Sequence, residues 1–200
     1  QLVLTGQLSD TGNPLSVNVP SSYRMGVELQ GALRPAGWFD WEVNATLSRN
    51  RIKDFTEYLY LDGWDTPAIA ISHGDTPISF SPGFIFNNSF NFRFRGFSAS
   101  LKSQYVGKQY MDNSSSDECA LDPYFTTDLH LAYDFRNLHG IKNLRAGFSV
   151  YNLFNEDYFN NGYSYAGYYV ADNGEKVIYR GAGYAAQAPV HVMGTVTLSF

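Results

Sequence analysis

Apolar and polar residues alternate along much of the chain with a period of two, the pattern of a β-strand whose faces meet different surroundings. The clearest example is the C-terminal segment VHVMGTVTLSF, where Val190, Val192, Val196, Leu198 and Phe200 share one face. The segment FIFNNSFNFRFR places five phenylalanines opposite Asn, Ser and Arg side chains. Helical spacing of apolar residues is hard to find. The pattern therefore predicts an all-β fold of about eight antiparallel strands.

The connections between these strands fall into two classes. Short turns are predicted at residues 35–37, 95–96 and 137–142. Long loops, rich in Gly, Asn, Asp, Ser, Tyr or Pro, are predicted over residues 9–21, 55–81, 111–123 and 156–187. Because short and long connections alternate, a meander of hairpins would project all its long loops from one end.

Two architectures use strands of this kind. A soluble β-barrel turns its apolar face inward, whereas a membrane barrel turns that face toward lipid and its polar face toward the lumen. Predicted strands of about 10–13 residues match a tilted crossing of the bilayer, and one-sided long loops are typical of outer-membrane barrels. These two features favour a transmembrane β-barrel.

Composition narrows the function classes. Only 16% of the 200 residues are charged, and the net charge of −5 offers no basic surface for nucleic acid. No run of apolar residues is long enough for a membrane helix. The single Cys119 excludes an intrachain disulfide and a multi-cysteine metal site. Residues 172–175 resemble the start of a calcium loop but lack its remaining ligands. No metal site and no cofactor is predicted.

Six segments form a recognisable set: SYRMGVELQGAL, WFDWEVNATLSRNRI, YVGKQYMDN, LDPYFTTDLHLAYDF, LRAGFSVYNLFNEDYFNNGYSY and QAPVHVMGTVTLSF. The most specific element is YNLFN at residues 151–155, with Tyr158 soon after. Together these segments resemble the C-terminal barrel of TonB-dependent outer-membrane receptors over nearly the whole chain. The likeness is greater to the siderophore, haem and cobalamin branch, as found in Bacteroidota, than to the glycan-importing branch.

The resemblance implies a 22-stranded barrel closed by an N-terminal plug, with a short segment that engages TonB. Residues 1–200 are then expected to be the C-terminal segment of such a barrel, without its plug. The implied function is active uptake of a ferric siderophore, haem or cobalamin, to which this chain contributes barrel wall and extracellular loops. The implied partners are outer-membrane lipid, the remaining barrel and plug, the TonB complex and the barrel-assembly machinery, for which Leu198 and Phe200 would be the signal.

Two sets of residues are candidates for function. Tyrosine and tryptophan offer large contact area with a polar end, so the candidate ligand-binding residues are the loop aromatics Tyr58, Tyr60, Trp64, Tyr158, Tyr163, Tyr165, Tyr168 and Tyr169. The candidate lumen-lining residues are Arg24, Glu28, Asp40, Glu42, Arg93, Arg95, Lys102, Asp128 and His130. Each set also has a purely structural interpretation, in which the tyrosines pack the loops and opposite charges pair across strands.

Two other functions fit part of the pattern. Eight strands also close a small complete barrel, which would have a structural or adhesive role. An outer-membrane hydrolase could use His130 with Asp128, Asp134 and Ser149, which fall on the polar faces of neighbouring predicted strands. No G-x-S-x-G motif is present, and the chain is predicted not to be an enzyme.

Overall fold

The computed structural model describes residues 2–9, 11–61, 68–138 and 141–200. Its strands are β1 (Leu2–Leu8), β2 (Pro14–Asn18), β3 (Ser22–Ala36), β4 (Phe39–Leu59), β5 (Ile69–Pro77), β6 (Phe84–Phe94), β7 (Phe97–Val106), β8 (Gln109–Tyr110), β9 (Ala120–Leu121), β10 (Tyr124–Leu138), β11 (Ile141–Tyr151), β12 (Phe159–Val170), β13 (Lys176–Ala186) and β14 (His191–Ser199). A single turn of 3-10 helix spans Asp117–Cys119. Among the described residues, no helix is long and apolar enough to cross a membrane.

Eight of the strands form one antiparallel sheet. Its order is β14-β11-β10-β7-β6-β4-β3, and β5 pairs with the far half of β4. The order in space follows the order along the chain, which confirms the predicted all-β meander. The short connections β3–β4, β6–β7 and β10–β11 lie at one end of the sheet, and the long connections lie at the other.

Strand register gives the sheet one apolar and one polar face. One continuous row across five strands consists of Leu29, Ala45, Phe86, Tyr105 and Phe125. The adjacent row on the opposite face consists of Gln30, Asn44, Asn87, Gln104 and Thr126. The apolar face is open, since Leu29 is 60% exposed and Val196 is 71% exposed.

The buried core lies at the long-loop end instead of under the sheet. Val3, Ile52, Phe55 and Ile78 form a buried cluster against which Val19 packs. A β-bulge in β4 makes this cluster possible, because Asp54 takes φ +51° and the pairing register shifts between Ile52 and Phe55. Beyond the bulge the buried residues carry odd instead of even numbers, so β4 turns a new set of side chains inward.

Several segments predicted as loops are strands. β4 continues to Leu59 and β5 follows within predicted loop 55–81, β2 lies within predicted loop 9–21, and β12 and β13 fill most of predicted loop 156–187. The predicted opening strand exists as β1, but it pairs with β2 and not with the main sheet. The β12–β13 hairpin reverses at Asn173-Gly174, where Gly174 takes φ +81°. The segment that resembled a calcium loop is therefore a hairpin turn.

Candidate functional site

A cavity of about 620 Å³ lies at the long-loop end of the sheet. Its walls come from β1, the far end of β4, residues 111–113 and the β12–β13 hairpin. The lining is mainly apolar or tyrosine, with Leu4, Phe55, Leu59, Tyr58 and Tyr165 among the contributors. Its volume falls within the range of small-molecule pockets.

Three of the predicted ligand-binding tyrosines line this cavity: Tyr58, Tyr60 and Tyr165. The Tyr60 hydroxyl also accepts the backbone N–H of Leu8 at 3.2 Å, which ties β1 to β4. The Tyr165 ring lies over Gly181 on the opposing strand, where an aromatic ring covers the space left by the missing side chain. Tyr60 and Tyr165 therefore have structural contacts as well as a surface toward the cavity.

The other predicted loop aromatics that the structure describes lie outside the cavity lining. Tyr163 covers Gly183 and is 68% exposed, whereas Tyr168 is buried at 4% exposure. Tyr158 packs against Tyr124, with 4.5 Å between ring centroids. Tyr169 is exposed on the hairpin, and Trp64 lies outside the described residues.

Beside the cavity lies a buried cluster of charges that sequence reasoning missed. Glu57 on β4 accepts two hydrogen bonds from the Arg180 guanidinium on β13, with Nη1 at 2.9 Å from Oε1 and Nη2 on Oε2. His73 Nε2 lies 2.7 Å from Glu57 Oε2, and Arg180 Nη1 lies 4.0 Å from the Asp112 carboxylate. The side chains of Glu57 and Arg180 are 11% and 10% exposed. The hydrogen bonds to Glu57 raise the pKa of Arg180 above its ordinary value, so the guanidinium remains charged.

One signal in the sequence could have found Glu57. The alternation of β4 resumes after the bulge, with Phe55, Glu57 and Leu59 on one side and Thr56 and Tyr58 on the other. A carboxylate between two apolar residues on the same strand face predicts a buried charge that needs a partner. Nothing local identifies Arg180 as that partner, because the two residues are 123 positions apart.

Cys119 is buried next to this charge cluster. It has no exposed surface, and its Sγ lies 3.7 Å from the Gly181 carbonyl oxygen on β13. Burial, with the neighbouring Asp112 carboxylate, raises the pKa of the Cys119 thiol to about 12. The thiol is therefore protonated and shielded at neutral pH.

The polar face of the sheet carries Arg24, Glu28, Asp40, Glu42, Arg93, Lys102, Asp128 and His130, as the alternation predicts. Many of these side chains are bonded within the face. Asp40, only 5% exposed, binds Arg93 at 2.6 Å and accepts the Asn91 amide at 3.0 Å, and Asn44 donates to Glu28 at 2.8 Å. The structural interpretation of these charges thus holds for several of them, and their position on a barrel lumen stays a prediction.

Arg95 was predicted to belong to that set, but its side chain does not lie on the polar face. It lies beyond the end of β6 in the β6–β7 turn with φ +47°, and its guanidinium sits 5.1 Å from the centroid of the Phe94 ring. Phe94 belongs to the apolar face and is 62% exposed. The left-handed turn conformation interrupts the strand alternation, so the Arg95 side chain leaves the polar face.

The residues considered for a hydrolase do not assemble into a catalytic triad. His130 Nδ1 lies 2.9 Å from Ser149 Oγ on the neighbouring strand. The Asp128 carboxylate instead accepts the backbone N–H of Asn152, and Asp134 accepts Arg145. No carboxylate therefore orients the His130 ring among the contacts of the described chain. Within those same residues, no group of three or more His, Cys, Asp or Glu side chains could hold a metal ion.

The YNLFN motif has a clear structural role. Asn152 Nδ2 donates to the carbonyls of Glu156 at 2.9 Å and Ala188 at 3.2 Å, and its Oδ1 accepts the Glu156 N–H at 2.9 Å. Asn155 Oδ1 accepts the N–H of Val190 at 2.9 Å. Both asparagines take positive φ, +51° and +55°, which this residue type tolerates better than most. The motif fastens both ends of the β12–β13 hairpin where it leaves the sheet.

Residues 2–153 match the model of the family described as TonB dependent receptor-like, beta-barrel. No curated protein matches the chain. Among solved structures, the ferric yersiniabactin uptake receptor FyuA from Yersinia pestis matches with a TM-score of 0.54 at 20% sequence identity.

The match to FyuA covers 88% of this chain and 23% of that receptor, and at this identity it shows a shared fold. The chain thus spans about a quarter of the receptor's length. Proteins of the matched family are outer-membrane transporters and receptors and are not enzymes. The matched residues 2–153 make up most of the chain and include β1 to β11. This chain therefore belongs to the TonB-dependent receptor β-barrel family.

Proposed function

We propose that this chain forms part of the barrel wall and four extracellular loop regions of an outer-membrane receptor that imports a scarce, bulky nutrient at the expense of energy relayed by TonB. The remaining barrel, an N-terminal plug, the TonB complex and the barrel-assembly machinery would be its partners. Leu198 and Phe200, both exposed with the apolar face of the sheet, would be the assembly signal.

The observation that carries the proposal is the combination of an exposed apolar face with a cavity at one end of the same sheet. Lipid offers such a face a favourable environment, which water does not. A membrane orientation on this face places the long-loop end, with its cavity, at one side of the bilayer and the short turns at the other. Outer-membrane barrels direct their long loops outward, so the cavity would face the cell exterior.

The nutrient proposed is a ferric siderophore, haem or cobalamin, with a siderophore as the first choice. The cavity supports a ligand with aromatic or apolar parts, because it offers tyrosine rings, leucines and Phe55. The fold shared with a ferric yersiniabactin uptake receptor is in keeping with a siderophore. A source organism within Bacteroidota remains part of the proposal.

Uptake by cells tests the proposal. A strain that lacks the complete receptor gene should lose uptake of one of three radiolabelled nutrients, and a plasmid copy should restore it. Dissipation of the proton-motive force should abolish the restored uptake. Wild-type uptake of all three nutrients by the deletion strain would refute the proposal.

A matched pair of tyrosines tests the cavity itself. Tyr163 and Tyr165 both lie on β12, both are exposed and both cover a glycine on β13, but only Tyr165 lines the cavity. We expect Tyr165→Ala to raise the dissociation constant of the transported ligand about tenfold, or ~1.4 kcal/mol. Tyr163→Ala should change it less than about twofold. Equal effects in ligand-binding titrations of the complete receptor would place the binding site elsewhere.

A further inference from the structure

The β12–β13 hairpin, residues 159–186, crosses the long-loop end of the sheet. It leaves the sheet between β11 and β14. It nevertheless contacts β4, which stands four positions away from β11 in the sheet order. At about 4.8 Å per strand this is a reach of roughly 19 Å. We call this hairpin the strap, because it spans the open end from one part of the sheet to another.

The strap is attached at its base and at its far side by different means. At the base, Asn152 and Asn155 bind the backbone on both sides of the hairpin. At the far side, the Arg180 guanidinium binds Glu57 of β4 and faces Asp112. A backbone hydrogen bond from Tyr168 to the Tyr60 carbonyl, at 3.2 Å, lies next to this ion pair.

The surface by which the strap docks on β4 consists mostly of small side chains, and its large buried side chains are those of Tyr168 and Arg180. The strand register places Gly162, Ser164, Ala166, Ala182 and Arg180 on the same face of the hairpin. Small residues bury little apolar area, so they contribute little to holding the strap down. Two larger side chains on that face are buried: Tyr168, at 4% exposure, and the charged Arg180, which binds Glu57.

The strap covers two features that would change on its release. Its residues Ser164, Tyr165, Ala166 and Tyr179 form one wall of the cavity. Its β13 strand also covers Cys119, which is in van der Waals reach of Gly181 and has no exposed surface. Movement of the strap away from β4 would open the cavity wall and uncover the thiol together.

From these contacts we infer that the strap is a lid latched by the Arg180–Glu57 pair and hinged at Asn152. The latch decides whether the strap lies closed on β4. The idea that ligand enters the cavity past this lid rests on the proposed function. The latch between Arg180 and Glu57 does not depend on that function. The rate at which Cys119, the single cysteine of the chain, is modified reports whether the latch is closed, and this measurement needs no ligand.

The test measures the rate at which a small thiosulfonate reagent modifies Cys119 in the complete receptor, held in outer-membrane vesicles. The modified peptide is identified by mass spectrometry, so other cysteines do not interfere. The variants Arg180→Met and Glu57→Gln should each raise the rate at least tenfold. Arg145→Met is the matched control, because Arg145 forms a partly exposed ion pair with Asp134 on the polar face, and its rate should stay within twofold of wild type.

Two further measurements separate a released latch from an unfolded protein. Arg180→Lys keeps the charge and should restore most of the protection that Arg180→Met removes. The heat-induced unfolding of the Arg180→Met barrel should remain close to that of Arg145→Met. Equal Cys119 rates in Arg180→Met and Arg145→Met would overturn the inference, and so would a barrel that unfolds throughout in Arg180→Met. Either result leaves the uptake experiment unaffected.

Discussion

Asn152 connects three parts of the chain through a single residue. Its backbone N–H binds Asp128 on β10, and its side chain binds Glu156 and Ala188 on the two sides of the strap. The residue is 4% exposed, so water cannot replace these partners easily. The asparagine in this motif therefore serves structure, and its effect on function passes through the position of the strap.

Replacement of Asn152 by Ala should destabilise the receptor by about 2–4 kcal/mol, because each buried polar group left without a partner costs about 1–3 kcal/mol. The positive φ of +51° adds to the loss, since alanine tolerates it less well than asparagine. The control is Asn87→Ala, which removes a partly exposed bond to Gln104 and should cost under about 1 kcal/mol. Urea unfolding of both variants in lipid vesicles measures the difference, and equal losses would contradict the role assigned to Asn152.

For single residues, the sequence predicts which face of the sheet a side chain takes better than it predicts which residue that side chain contacts. Alternation places Glu28, Asp40 and Lys102 correctly because strand geometry alone determines which face a side chain takes. It fails for Arg95, where a turn with positive φ ends the alternation. It also cannot find the pairing of Glu57 with Arg180, since that contact depends on how the strap folds across the sheet.

The bulge in β4 is the element that converts a flat strand into one wall of the cavity. An extra residue in β4 near Asp54, followed by an opposite register shift between Phe55 and Thr56, moves Phe55, Glu57 and Leu59 to the side that packs against the loop regions. Without it, the strand would direct Thr56 and Tyr58 to that side instead. The core, the charge cluster and the cavity all depend on this shift.

Deletion of Asp54 should therefore disrupt the long-loop end. The remaining strand would lose the register shift between Ile52 and Phe55, expose Phe55 and separate Glu57 from Arg180. We expect rapid cleavage of the loop regions in limited proteolysis of the complete receptor. The control Asp54→Gly keeps the residue count and relieves the positive φ of +51°, so its proteolysis should match wild type. Equal resistance of the deletion variant would show that the bulge is dispensable.

The strap shows why some elements were predicted as loops. Its glycines, tyrosines and asparagines are typical of irregular segments, and they outweigh the alternation of Tyr163, Tyr165 and Tyr169. The Asn173-Gly174 pair was itself a hairpin signal. What the sequence could not supply is the pairing of Gly167, Gly181 and Gly183 with tyrosine rings across the hairpin, which offsets the weak strand preference of glycine.

For the whole molecule, the decisive property is that one face of the sheet is apolar and open. The meander and its two faces follow from alternation, and the structure agrees with both. The edges of the sheet, β3 and β14, do not pair with each other in the described chain. In lipid, unpaired edges cost several kcal/mol per backbone group, which supports a larger barrel in which further strands cover them.

The central claim, that the apolar face meets lipid and the polar face lines an aqueous interior, can be measured directly on β3. Nitroxide labels would be placed one at a time at Met25, Val27, Leu29, Glu28 and Gln30 of the complete receptor in lipid vesicles. Collision rates with oxygen, which concentrates in lipid, should be high at the three apolar positions, and those with a water-soluble nickel chelate should be high at Glu28 and Gln30. Rates that do not alternate along β3, or that alternate in the opposite sense, would contradict the claim.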